Sequence, residues 1–108
     1  MEPNLRHQLT ELLNELGKLM VVAPTEEEEQ KIRRLIRILF AILDEVLKQE
    51  IQSNTKKYRD AIAALDESLE LADAAKRDLK RIADAINKAV SAAKAVDKVI
   101  GLGIDLLV

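Results

Sequence analysis

The chain holds a single histidine, His7, and four residues further on stands Glu11. On a helix that spacing sets imidazole and carboxylate on one face. Such a pair is half of a metal site or of a general base. A carboxylate-bridged di-metal bundle, however, draws on two Glu-x-x-His units and two further Glu residues. Here the residue three before His7 is Asn4, and there is no second histidine, so His7 reads as a solvated side chain. The hydroxyls are no better placed. Ser53, Ser68 and Ser91 fall in helical or hairpin contexts, without the strand-turn-helix elbow that presents a nucleophilic serine. "GLG" at 101–103 lacks the strand before it and the helix after it that a phosphate loop needs, and reads as a helix end. Glu11 with Glu15, and Asp44 with Glu45, are ordinary exposed helix carboxylates. No set of nucleophile, base and oxyanion donor assembles. The expectation is a protein that is not an enzyme, with no catalytic, cofactor-binding or metal-binding residues and no cofactor.

Composition narrows the classes further. A chain of 108 residues is one domain by length, so 1–108 is read as a single helical unit. There is no Cys, which removes disulfides and thiol chemistry. Phe40 and Tyr58 are the whole aromatic supply, so base-stacking platforms and aromatic interface anchors are missing. Seventeen bases against nineteen acids, well mixed, leave no basic surplus for nucleic acid. The N-terminal "MEPNLRHQLTE" has no apolar core following basic residues, as a signal peptide would. "LIRILFAIL" at 35–43 is too short to span a bilayer and contains Arg37. A cytoplasmic location is expected.

The elements that would position any site are helices. Leu5, Leu9, Leu12, Leu16 and Leu19 recur at steps of four and three, which predicts a first helix over about 4–20, with Gly17 weakening its last turn. Pro24 pushes Ala23 out of helical geometry, and Thr25 with Glu28 forms a capping box. Glu26 to Glu29 then lie on the positive end of a new helix dipole, so the acidic run reads as a helix start rather than a cation site. The second helix is predicted over about 26–52. Ile32, Leu35, Ile36, Leu39, Ile42, Leu43, Val46 and Leu47 form its broad face, and Ile38 and Phe40 widen it. A helix apolar on most sides is central in its bundle or contacts a second chain. Arg33, Arg34 and Arg37 form a basic patch, explained in part by pairs such as Glu29–Arg33 and Glu27–Lys31. "QSNT" at 52–55 marks a tight helical hairpin.

The third helix is predicted over 55–100, where Gly and Pro are absent. Its seam runs Tyr58, Ile62, Leu65, Leu69, Ala72, Lys76, Leu79, Ala83, Ile86, Val90, Ala93, Asp97, Ile100, Ile104 and Leu107. A flanking row of Ala61, Ser68, Ala75, Ile82, Ala89, Val96 and Gly103 is small or apolar throughout. Such a helix is roughly 70 Å long against roughly 40 Å for the second, so its last part overhangs. An uncovered apolar stripe is a liability in water. Either the helix breaks near 76–80 and folds back into a four-helix bundle, or the overhang meets a partner. No Gly or Pro stands at 76–80, and Asp78 alone could cap a turn there, which favours association.

The reading is therefore an all-α bundle of three helices with a long C-terminal helix, the folded-back four-helix bundle being the alternative. It self-associates as a homodimer or binds a partner helix through Ile86, Ala89, Val90, Ala93, Val96, Ile100, Ile104 and Leu107. Lys76 and Asp97 would fix the register of that seam. The alternative class is a membrane-surface or lipid-binding protein. It is the weaker one, because the long helix mixes its charges and has no Trp or Phe to anchor it. Mixed charges, the cap at Thr25 and unbroken heptads also fit a computationally designed bundle; Gly17, the "MVVAP" turn and the apolar terminus do not.

Overall fold

The computed structural model describes residues 4–103, and these form an all-α bundle of four helices. Helix α1 spans Leu5–Val22, α2 Glu26–Lys48, α3 Lys56–Arg77 and α4 Ile82–Ile100. Asn4 caps α1 by accepting from His7 N at 2.7 Å. Gly17 does not end that helix, which runs on until Ala23 turns extended before Pro24. Thr25 caps α2, its hydroxyl accepting from Glu28 N at 3.1 Å and donating to the Glu28 carboxylate at 2.9 Å. Helix α2 stops at Lys48, four residues short of the sequence expectation. Gln49 leaves helical geometry there, and its side-chain amide donates to Ile100 O at 3.0 Å, an orphan carbonyl at the end of α4.

The long third helix does not exist as one rod. It breaks at Asp78, which adopts an extended backbone (φ −139°, ψ 97°). Asp78 N still donates to Ala74 O at 3.0 Å, closing α3, while its carboxylate accepts from Lys80 N at 3.2 Å and opens a short 3-10 turn over Leu79–Arg81. One capping side chain thus makes the turn that Gly or Pro would otherwise mark. Unbroken heptad phase did not exclude this, because a four-residue turn carries Ala75 to Ile82, one full heptad, and returns the apolar face to the same core. The longest dimension is 39 Å, with a radius of gyration of 13.2 Å, so among the described residues no helix overhangs the bundle.

Two hairpins, α1–α2 and α3–α4, lie side by side. Around the bundle the order is α1, α2, α4, α3; the diagonal pairs α1/α4 and α2/α3 scarcely touch. The link at 49–55 therefore crosses one end of the bundle on the diagonal and is not the tight hairpin the sequence suggested. Contacts between hairpins fix their directions. Tyr58, at the start of α3, accepts from Leu5 N at the start of α1 (3.2 Å), and Lys76 pairs with Glu15 further along, so α1 and α3 run parallel. Lys88 pairs with Glu67 across the antiparallel α3–α4 contact.

That contact is the most extensive in the molecule. Its centre is the row that flanks the predicted seam: Ala61, Ser68, Ala75, Ile82, Ala89 and Val96 are all 0% exposed. Small residues there let two backbones approach closely, while leucines of α1 and Ile32, Leu35, Leu39 and Ile42 of α2 fill the opposite side. Leu79 is exposed because it lies on the turn, outside the packed length.

Candidate interaction surface

The residues with chemical potential remain apart. His7 Nε2 lies 3.8 Å from a Glu11 oxygen, and both side chains are largely in water. Ser91 donates to Asn87 O at 3.2 Å, and Ser68 is fully buried. Among the described residues no group of three or more His, Cys, Asp or Glu could hold a metal ion. A hollow of about 240 Å³ opens beside the 49–55 link, where Gln49, Glu50, Thr55, Lys57 and Lys98 line it. Its one hydroxyl, on Thr55, already caps α3 by accepting from Tyr58 N at 3.2 Å.

The residues expected at an interface sit mostly inside. Ile86, Ala89, Ala93, Val96 and Ile100 are buried by the chain's own helices, and Val90 is half-buried. Ile104 and Leu107 lie outside the described residues. The premise of an uncovered stripe on a single long helix is thereby corrected: the fold-back at Asp78 lays that stripe against α3 and α2. Its two polar interruptions serve the same chain. Lys76 reaches Glu15 on α1 and Asp73 on its own helix, at 3.5 Å for the latter. The hydrogen bond that Lys76 donates to Glu15 outweighs desolvation and raises the Lys76 pKa above its ordinary 10.5. Asp97 accepts from Gly103 N at 3.0 Å and holds the end of α4.

Among the described residues, the apolar row left uncovered at helical spacing is on α2. Phe40 is 58% exposed and Leu47 56%, although both are large and apolar. Ile36 and Leu43, half-buried, complete a stripe at steps of four, three and four. The fully buried Leu35, Leu39 and Ile42, with Val46 nearly so, follow the same steps one residue earlier. Helix α2 therefore carries two adjacent seams, one turned to the core and one beside it in which Phe40 and Leu47 face water while Ile36 and Leu43 still pack partly against the core. The signal was in the sequence as a helix apolar over most of its circumference; which of its sides the bundle would cover was not. Val21, 82% exposed, lies in the last turn of α1, at the other end of the bundle from the 49–55 link.

No family model, no curated protein and no solved structure matches this chain. Among the described residues no helix is long and apolar enough to cross a membrane.

Proposed function

We propose that this protein is a non-enzymatic, cytoplasmic helical bundle whose role is association, docking a helix from a second copy or from another protein on the outer seam of α2. The observation that supports this most is the pair Phe40 and Leu47, more than half exposed and in register with Ile36 and Leu43. Single exposed apolar residues are ordinary on protein surfaces, but a contiguous row at helical spacing is what a helix-in-groove partner reads. The buried residues of α4 serve this role indirectly, as part of the core on which α2 packs. The scattered chemistry of His7, the serines and the 240 Å³ hollow favours binding over catalysis.

The test is binding of an apolar fluorescent dye, with far-UV circular dichroism as a check on folding. Phe40→Gln with Leu47→Gln is expected to keep the helical spectrum and remove most of the dye signal. Dye binding unchanged by this double substitution would reject the α2 seam as the sticky surface. Retention on vesicles would turn the reading toward a membrane surface instead, for which the acidic Glu26–Glu29 at the start of α2 is poorly suited.

A further inference from the structure

The charges beside the outer seam of α2 are not the same at its two ends. Arg33 and Arg37 flank its N-terminal half, and Asp44 flanks its C-terminal half. Within α2 the ion pairs are Glu27–Lys31 at 3.4 Å, Glu29–Arg33 at 2.8 Å and Asp44–Lys48 at 3.0 Å, which leaves Arg37 without one among the described residues. A seam of this kind is complementary to itself only when reversed.

We propose that α2 pairs with α2 of a second copy of this chain, antiparallel, about a two-fold axis between Phe40 and Leu43. The inference rests on the preceding reading that the outer seam is the docking surface. Reversal stacks Ile36 on the partner's Leu47 and Phe40 on the partner's Leu43, so apolar residues meet in four layers. It also brings Arg37 beside the partner's Asp44, and Asp44 beside the partner's Arg37, one pair on each side of the axis. Asp44 keeps Lys48 as well, since both are two-thirds exposed and a carboxylate accepts from more than one donor. A parallel pairing would instead gather both basic halves at one end. The contact is isologous and closes at two copies, so it does not propagate into fibres. Four residues per helix cover less than the roughly 1,200 Å² of a standard interface, so the dimer is weak, with a Kd on the order of 10–100 µM.

Sedimentation velocity from micromolar to millimolar protein, at low salt, tests this. Wild type is expected to pass from monomer to dimer over that range and stop there. Arg37→Asp and Asp44→Arg are each expected to raise Kd about tenfold, and the two together to return it to within about threefold of wild type. Dimerisation that is lost on Phe40→Gln but indifferent to both single reversals overturns the antiparallel arrangement. A monomer at every concentration overturns the second copy as occupant, while the dye measurement decides separately whether the seam is a docking surface at all.

Discussion

Ser68 is fully buried in the α3–α4 contact, and its hydroxyl has no hydrogen-bond partner. An unsatisfied buried hydroxyl costs roughly 1–3 kcal/mol, and Ala is also the better helix former. Ser68→Ala is therefore expected to stabilise the fold by about 1 kcal/mol, raising Tm by about 5 °C in a thermal melt. A fall in Tm would mean that the hydroxyl has a partner or that the site needs its volume. Lys76 carries a pH-dependent term. Its pKa is raised in the folded chain, chiefly by the Glu15 hydrogen bond, so its contribution is fully present below 10.5 and disappears as pH climbs through the folded value. Wild type should be more stable than Lys76→Met at neutral pH, and the gap between their urea midpoints should close well above pH 10.5. A gap that stays constant over that range would show that Lys76 acts through its stem alone. At this scale the sequence was informative about identity and silent about partners. Lys76 was legible as a polar break in a seam, but Glu15 lies sixty-one positions away, and only the packing of α1 on α3 brings them together.

Helix ends divide into those the sequence announced and those it did not. Gly101 has a left-handed backbone (φ +69°) and its N–H donates to Asp97 O at 2.7 Å, the end expected of "GLG". Gly17 lies in mid-helix, and a Cβ there would meet nothing within 4 Å. The same substitution should thus have opposite signs at the two sites. Gly17→Ala is expected to stabilise by up to about 1 kcal/mol, and Gly101→Ala to destabilise by about as much, read from denaturant midpoints. Equal signs would refute this account of the two ends. Thr25 and the Pro24 boundary were readable because each rests on local chemistry, a cap and a restricted φ. The break at Asp78 was not, since Asp is unremarkable on a helix surface and becomes a turn former only when tertiary packing rewards reversal. The early end of α2 at Lys48 has the same origin: Gln49 reaches Ile100, a residue no local pattern connects to it.

At the scale of the whole molecule, the all-α class followed from leucine and alanine spacing, while chain reversal and the diagonal link did not. Periodicity reports which residues turn inward but not which chain lies opposite. A rod capped by a second copy and a hairpin capped by itself bury the same Ile86, Ala93 and Val96. For the same reason the fold-back covers the apolar face of α4 and leaves Phe40 and Leu47 of α2 exposed. Tyr58 gives this arrangement a readout of its own. It is the only tyrosine in a chain without tryptophan, 9% exposed, and its hydroxyl bonds the first turn of α1 from the first turn of α3. Its near-ultraviolet signal therefore reports the docking of one hairpin on the other, while far-ultraviolet ellipticity reports helix formation in both. If the hairpins form before they join, stopped-flow traces at the two wavelengths will separate in time, and the unlabelled wild-type chain is sufficient to see it.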